Sequence, residues 1–463
     1  MTITQVAVAL TIGVVMLLSS CGGGSGGGSG GNGAGVVGPR LFFTANDGAS
    51  LGLWKTDGTE AGTVRLNAVP FSGPTVFNGK LYFAGGGNAL DVELWKTDGT
   101  DAGTVRVKDV NPGVDGSWPS QLTVFNGALY FAANDGVSGA ELWKTDGTDA
   151  GTVLVKDINP GAADSFPGLF TEFNGALYFR ASNGVSTELW KTDGTAVGTV
   201  RVKDIDPLGL TVFNGVLYFE GADGASGSEL WKTDGTEAGT ALVKDINPGS
   251  GGSNPVGFTV FNGALYFAAD DGVAGAELWK TDGTVAGTVR VKDINPGAPT
   301  SQLYGFTVFN GALYFAASSA STGGSELWTT DGTEAGTHLV YDLYPGFQGS
   351  ELDGFTVFNG ALYFRANDGP RGVELWKTDG TPQGTALVKD IRPGLLGSHP
   401  GRSFFGGHAG GFMVSNGELY FIADDGVSGE ELWKTDGTEA GTALVKDINP
   451  GVGGSGPDSL TPF

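Results

Sequence analysis

The 463-residue chain has few of the residues from which most metal and redox sites are built. It contains one cysteine, Cys21, and three histidines. A single cysteine excludes intramolecular disulfides and zinc sites made of several cysteines. Only three histidines argue against a multi-histidine metal site. We therefore expect no resident cofactor, with calcium as the one alternative considered below.

Positive charge is also scarce. The chain has 26 Lys and Arg against 50 Asp and Glu, a formal net charge of −24. Nucleic acids are bound through clustered Lys and Arg, so the composition predicts no nucleic-acid partner. The sequence also lacks a nucleophile elbow, a P-loop and a metal-ligand string. These absences predict that the chain is not an enzyme.

The longest apolar run, residues 6–18, is too short for a transmembrane helix. A bilayer span needs about 20 apolar residues, whereas the core of a signal peptide needs about 7–15. The Leu-Ser-Ser-Cys sequence that ends at Cys21 resembles the signal of bacterial lipoproteins, in which the cysteine is acylated. This resemblance implies a signal peptide over residues 1–20 and a lipid on Cys21. The alternative is an ordinary secretory signal.

Residues 21–38 are rich in Gly and Ser and contain no bulky core residue. Such a segment behaves as a flexible coil. We interpret it as a tether between a membrane anchor and a folded body over residues 39–463. The predicted location is outside the cytoplasm, on the outer membrane or the cell surface.

The folded body is one repeat copied nine times. Searching for repeats comes first, because a missed repeat leads to the wrong fold. The string Leu-Trp-x-Thr-Asp-Gly-Thr recurs at intervals of 41 to 57 residues. Its tryptophans are Trp54, Trp95, Trp143, Trp190, Trp231, Trp279, Trp328, Trp376 and Trp433.

Each unit contains four short extended segments separated by turn residues. In one unit, residues 153–158 alternate in polarity and end at Asn-Pro-Gly, and Asn174-Gly175 lies between two apolar runs. Asn-Gly between apolar runs is a strong hairpin signal, because both turn positions need a positive φ. No sustained helical period is present. The pattern predicts an all-β protein.

Four strands in 40–50 residues are typical of one β-propeller blade. Residues 38–43 align with the middle of a unit, and residues 459–463 align with the part that this first unit lacks. We therefore predict a β-propeller of nine four-stranded blades, with eight as the fallback. We expect two strands from the C-terminus to close the ring, because an open solenoid would carry capping repeats.

The repeat resembles the bacterial ELWxxDGT repeat family. Glu93–Thr100, Glu141–Thr148 and Glu229–Thr236 match the family motif in full, whereas the first copy has Gly52 in place of the glutamate. The resemblance implies a repetitive, exported bacterial β-protein. It implies no established activity.

The recurring residues have structural and functional interpretations. The tryptophans are predicted to be core residues buried between blades; the alternative is a ring of sugar-binding platforms. Acidic residues before and within the Glu-Leu-Trp string are candidate calcium ligands, since calcium binds six to eight oxygens. These candidates are Asp135 with Glu141 and Asp271 with Glu277.

Residues that break the repeat are the best candidates for a specific ligand site. They collect late in the chain, partly in an insertion that follows the eighth tryptophan: Arg371, His399, Arg402 and His408. Arg and His there suit an acidic ligand, although the insertion also fits a plain surface loop. The function predicted is an exported, lipid-anchored, non-catalytic binding or structural scaffold for a protein or glycan partner. The alternatives are a multivalent carbohydrate-binding propeller and a propeller hydrolase or lyase.

Overall fold

The structure is a computed structural model that describes residues 41–66, 71–87, 90–224, 226–297, 300–346, 348–402 and 411–463. The described residues form 36 strands. The first eighteen are β1 Leu41–Asn46, β2 Leu51–Thr56, β3 Val64–Arg65, β4 Phe71–Phe77, β5 Lys80–Gly85, β6 Glu93–Thr97, β7 Val105–Lys108, β8 Ser120–Phe125, β9 Ala128–Asn134, β10 Ala140–Thr145, β11 Val153–Lys156, β12 Gly168–Phe173, β13 Ala176–Ser182, β14 Thr187–Thr192, β15 Val200–Lys203, β16 Leu208–Phe213, β17 Val216–Ala222 and β18 Ser228–Thr233. The others are β19 Ala241–Lys244, β20 Val256–Phe261, β21 Ala264–Asp270, β22 Ala276–Thr281, β23 Val289–Lys292, β24 Tyr304–Phe309, β25 Ala312–Ser318, β26 Ser325–Thr330, β27 His338–Tyr341, β28 Asp353–Phe358, β29 Ala361–Asn367, β30 Val373–Thr378, β31 Ala386–Lys389, β32 Phe412–Ser415, β33 Glu418–Asp424, β34 Glu430–Thr435, β35 Ala443–Lys446 and β36 Asp458–Pro462.

These strands form nine antiparallel sheets of four strands each. Blade 1 is β36-β1-β2-β3, and blades 2 to 9 follow in chain order as β4–β7, β8–β11 and so on to β32–β35. The innermost strands of neighbouring blades contact one another around the whole ring, including β36 with β4. The nine-bladed β-propeller predicted from the repeat is therefore confirmed, and its innermost strands surround a central channel.

Both termini contribute to blade 1. Leu41 of β1 pairs with Pro462 of β36, and Phe42 pairs with Thr461. The ring of Phe463 packs edge-on against Phe42, with centroids 5.3 Å apart. The expectation that the C-terminus supplies two strands to this sheet is wrong: it supplies one, because the preceding strand β35 pairs with β34 and completes blade 9.

The core lies between the blades. One cluster joins Tyr130 and Leu142 of blade 3 to Leu177, Phe179 and Trp190 of blade 4, and equivalent clusters fill the other interfaces. Eight of the nine motif tryptophans are 6–9% exposed, and Trp95 is half-buried. Large aromatic side chains stabilise such interfaces through their buried area. The tryptophans are core residues, so they do not form sugar-binding platforms.

The Asp-Gly-Thr turns lock each blade to the preceding one. In blade 3, Oδ1 of Asp146 accepts the Thr148 backbone N–H at 2.8 Å and its hydroxyl at 2.7 Å. These two bonds hold the pKa of Asp146 below its usual value. Gly147 has φ +96° and lies against the Tyr82 hydroxyl of blade 2, while Nζ of Lys96 donates to the Gly147 carbonyl at 2.7 Å. The turn therefore also forms an interface between blades.

The two ends of the ring carry different loops. The Asn-Gly hairpins and Asp-Gly-Thr turns lie at one end, which we call the lower face. The loops from each second strand to the third, and from each fourth strand to the next blade, lie at the other end, the upper face. All loops that vary in length and composition are therefore on the upper face.

Candidate functional site at the upper mouth of the channel

The glutamate of the repeat motif holds an upper loop in place. Glu374 is fully buried, and its carboxylate accepts the backbone N–H groups of Ile391 at 3.2 Å and Arg392 at 3.0 Å. It also accepts the backbone N–H of Ser398 at 2.9 Å and the hydroxyl of this serine at 2.5 Å. Burial raises the pKa of Glu374 to about 7, despite these four bonds. One side chain thus fixes the first part of the loop between β31 and β32, from Ile391 to Ser398.

The same arrangement recurs around the ring. Each motif glutamate of six other blades accepts a bond from the serine 24 residues later, at 2.5–2.7 Å. These serines are Ser117, Ser165, Ser253, Ser301, Ser350 and Ser455. Blade 1 has Gly52 instead, and the Arg65 guanidinium occupies the space of the missing side chain.

The residue after each of these serines varies, although its backbone does not. It has a left-handed φ of 46° to 51° in all seven cases. Such a φ is uncommon for residues other than glycine and marks strain that often serves function. We call these residues the mouth positions: Trp118, Phe166, Asn254, Gln302, Glu351, His399 and Gly456.

The mouth positions surround the upper opening of the channel. Six of them lie two residues before an innermost strand begins, and His399 precedes the insertion that leads to β32. The repeat therefore holds seven chemically different residues in one equivalent place. Sequence reasoning found only His399 among them. The signal that was missed is the changing residue after the recurring serine.

A charged cluster adjoins His399. Arg365 of β29 replaces the alanine found at the equivalent Ala132 of β9, and its Nη2 lies 3.0 Å from Oδ2 of Asp353. Arg392 forms an ion pair with Asp424 of β33. We call the set the blade 8–9 cluster: Glu351, Asp353, Arg365, Arg392, His399, Arg402, Asp424 and Glu430.

Two groups of this cluster, His399 and Glu430, have shifted pKa values, and the positive charge of Arg402 acts on both of them. Burial lowers the pKa of His399, and the nearby Arg402 lowers it further. Burial raises the pKa of Glu430, while Arg402 opposes this rise. Every other arginine in the described part of the chain forms an ion pair with a described carboxylate within 4.0 Å, whereas Arg402 does not. Its exposed guanidinium therefore suits an anionic group of a ligand.

The four residues predicted to bind a ligand do not all lie together in the structure. His399 and Arg402 lie together in the blade 8–9 cluster. Arg371 lies on the same face, in the loop between β29 and β30, where it pairs with Asp368. His408 lies outside the described residues.

The candidate calcium ligands are bound by local donors. Asp135 accepts the backbone N–H groups of Val137 at 2.9 Å and Ser138 at 2.7 Å. Glu141 accepts the N–H of Ile158 and the hydroxyl of Ser165, both at 2.7 Å.

In the second pair, Asp271 accepts the N–H of Ala274 at 2.8 Å and lies 3.1 Å from Arg290. Glu277 accepts the N–H of Ile294 at 2.7 Å. Calcium binding at the two pairs stays a prediction.

Another acidic group was not predicted. Carboxylate oxygens of Asp91, Glu93 and Asp109 lie within 4.8 Å of one another. Arg106 lies 3.2 Å from Asp109 and supplies positive charge there. These residues could hold a cation by their chemistry, although Glu93 already accepts four hydrogen bonds.

The predicted signal peptide, the tether and lipidation at Cys21 lie outside the described residues. Among the residues that the structure does describe, no helix is long and apolar enough to cross a membrane. Export and lipid anchoring stay predictions from the sequence.

Comparison with known proteins finds similar solved structures but no similar sequence. No protein-family model matches the chain, and no curated protein matches it. One of two analysed prolyl endopeptidases is 14% identical, with a TM-score of 0.40, over 69% of this chain and 49% of its own. Puromycin hydrolase is 13% identical, with a TM-score of 0.38, over 71% and 53%. Oligopeptidase B from Leishmania major is 12% identical, with a TM-score of 0.41, over 80% and 53%.

The chain thus spans about half the length of these solved structures. They are peptidases and a hydrolase, and this finding contradicts the prediction of a non-catalytic binding or structural scaffold. At such low identities and TM-scores, the likeness assigns no activity to this chain. Any activity has to be argued from the residues at the channel mouth.

Proposed function

We propose that the chain is a hydrolase-type propeller that cleaves an amide or ester bond in a carboxylate-bearing substrate at the blade 8–9 cluster. One observation carries the proposal: His399 and Glu430, whose pKa values are shifted in opposite directions, share Arg402 as their strongest charged neighbour. Titratable groups whose environments push their pKa values apart are typical of an acid and base pair.

In this mechanism His399 is the general base. A lowered pKa keeps the imidazole neutral at pH 7, so it can take a proton from water as the water attacks the carbonyl carbon. Glu430 is the general acid: in its protonated form it gives a proton to the leaving nitrogen or oxygen as the old bond breaks, and burial, which raises its pKa, increases the fraction that carries this proton. Arg402 binds the substrate carboxylate and stabilises negative charge on the carbonyl oxygen.

The backbone around His399 is firmly held. Its N–H donates to the Val373 carbonyl at 3.0 Å, and the preceding Ser398 is bound to Glu374. Gly401 donates to the Ile422 carbonyl at 2.8 Å. A base on such a support stays in one position, as catalysis requires.

The test is turnover of fluorogenic carboxylate-bearing amides and esters by the whole chain. General acid–base catalysis contributes about 100- to 10,000-fold, so we expect His399→Ala to lower kcat by at least about 100-fold. The matched control is His338→Ala, because His338 is exposed and its ring contacts the Gly336 carbonyl. We expect Arg402→Ala to raise KM about tenfold.

The pH profile separates catalysis from a structural role. Activity should fall at low pH as His399 becomes protonated, and at high pH as Glu430 loses its proton. Glu430→Gln should remove the high-pH limb and lower kcat. If no substrate is turned over, or if His399→Ala and His338→Ala are equally active, the proposal is wrong.

A further inference from the structure

Two mouth positions carry exposed aromatic side chains. Trp118 is 56% exposed and Phe166 is 67% exposed. Their backbones are anchored, since the Trp118 N–H donates to the Val92 carbonyl at 3.0 Å and the Phe166 N–H donates to Ala140 at 3.2 Å. A left-handed backbone is unfavourable at a bulky residue, and exposure of an apolar ring to solvent is unfavourable as well. Each residue leaves more than half of its surface in solvent on a strained backbone, which points to a binding role.

These aromatic residues lie on the other side of the ring from the blade 8–9 cluster. Trp118 leads into blade 3 and Phe166 into blade 4, whereas His399 leads into blade 9. Nine blades divide a circle into steps of about 40°. Trp118 is then about 120° from His399, and Phe166 is about 160° away. The upper mouth has an aromatic side and a charged side.

The width of the mouth limits the ligands that can touch both sides. Cα atoms of neighbouring innermost strands approach within 8 Å. Between its innermost strands, a ring of nine strands with this spacing is about 20 Å across, which equals six or seven residues of an extended chain at about 3.3 Å each. A small molecule cannot reach both sides, but a short peptide can.

The remaining mouth positions also suit a peptide. Asn254 and Gln302 lie at the mouth between Phe166 and Glu351 in the order of the blades, and both are exposed. A side-chain amide donates and accepts hydrogen bonds, as a peptide group does. Arg402, the one described arginine without an ion-pair partner among the described carboxylates, matches a single carboxylate.

We propose that the upper mouth binds an extended peptide with a free C-terminal carboxylate. The carboxylate pairs with Arg402, and an apolar side chain six or seven residues before it packs against Trp118 and Phe166. The inference rests on the proposed function, because it assigns the peptide as the substrate class of the same site. The aromatic pair would then determine specificity.

Binding is measured with fluorescein-labelled peptides on the His399→Ala variant, so that cleavage does not interfere. The peptides carry one Phe placed three, six or nine residues before a free C-terminus, in an otherwise Gly-Ser chain. We expect the six-residue spacing to bind at least tenfold more tightly than the other two. Its C-terminal amide should bind about tenfold more weakly. We also expect quenching of Trp118, the one tryptophan that is more than half exposed.

Variants on both sides of the mouth complete the test. Trp118→Ala with Phe166→Ala should weaken the six-residue peptide about tenfold and should abolish the dependence on spacing. The control is Val185→Ala, which changes an apolar residue that is 93% exposed on the same face. Equal binding of all spacings, or equal binding of the acid and the amide, overturns the inference. Turnover of carboxylate-bearing substrates with no spacing dependence would leave the proposed function standing and refute the peptide assignment.

Discussion

The contact between Gly147 and Tyr82 makes the Asp-Gly-Thr turn sensitive to a single methyl group. A Cβ added at Gly147 would lie 2.2 Å from the Tyr82 hydroxyl oxygen, at a φ of +96°. The left-handed backbone alone costs alanine about 1–2 kcal/mol. Overpacking against the hydroxyl adds about 1–3 kcal/mol. We therefore expect Gly147→Ala to lower the free energy of unfolding by about 2–5 kcal/mol.

Two glycines of the same chain separate the backbone cost from the clash. Gly161 has φ +113° and open space where a Cβ would lie, so Gly161→Ala should cost only the backbone term. Gly99 occupies the equivalent turn of blade 2 with φ +86°, but the preceding blade has Phe42 where blade 2 has Tyr82. Gly99→Ala avoids the hydroxyl and should cost less than Gly147→Ala.

The decisive measurement is a double-mutant cycle by urea denaturation, followed by tryptophan fluorescence. Tyr82→Phe alone should change stability by less than about 1 kcal/mol, because the ring remains in the core. In the Gly147→Ala background it should recover about 1–2 kcal/mol, since the nearest ring carbon is then 3.3 Å from the new methyl group. Equal costs for Gly147→Ala and Gly161→Ala, or no recovery by Tyr82→Phe, would refute the proposed packing between blades.

Two further predictions concern stability. The pKa values of the buried Glu326 and Glu374 are raised by burial to about 7 from 4.5, so each contributes stability that is present below pH 4.5 and lost as the pH rises to about 7. Unfolding should therefore need a lower urea concentration at pH 8 than at pH 5. Glu326→Gln should reduce this difference, whereas the exposed control Glu237→Gln should not. An equal urea midpoint at both pH values would contradict the raised pKa values of these buried glutamates. In blade 7, Thr329 replaces the lysine that bonds the next blade's turn in seven other blades, as Lys280 does with Gly332 at 2.8 Å. Thr329→Lys should raise the free energy of unfolding by about 1 kcal/mol, because the new lysine can donate a hydrogen bond to the Gly380 carbonyl. If the same urea assay gives a free energy of unfolding below that of the unmodified chain, the surroundings of residue 329 do not accommodate a lysine as the other blades do.

The fold could be predicted because its signals are local and repeated. Asn174-Gly175 specifies a hairpin by its need for positive φ, and Asp193-Gly194-Thr195 specifies a turn by its hydrogen bonds. The repeat alone could not show which strands pair in blade 1, where the two ends of the chain meet. The unit read from the sequence begins with an outer strand, whereas the sheets begin with an inner one. Because of this difference, the prediction placed β35 in blade 1, whereas it belongs to blade 9.

The site was harder to predict, because its members are distant in sequence. Arg365 lies on β29, His399 on a loop and Glu430 at the start of β34, so their proximity follows from blade order rather than from spacing. The mouth positions escaped notice for another reason. A tryptophan at position 118 looks like an ordinary core residue until its left-handed φ and its 56% exposure are known.

Repetition and specificity are divided between different residues of each blade. The motif glutamate and the serine 24 residues later are nearly constant, and they fix the backbone at the channel mouth; the nearly constant Asp-Gly-Thr turn joins neighbouring blades on the lower face. Nine identical blades would offer only a symmetric surface, which cannot supply an acid, a base and a binding group at different places. The variable residue after the serine breaks this symmetry without altering the backbone. A propeller of this kind can therefore change its ligand by single substitutions at the mouth, while the interfaces between its blades stay the same.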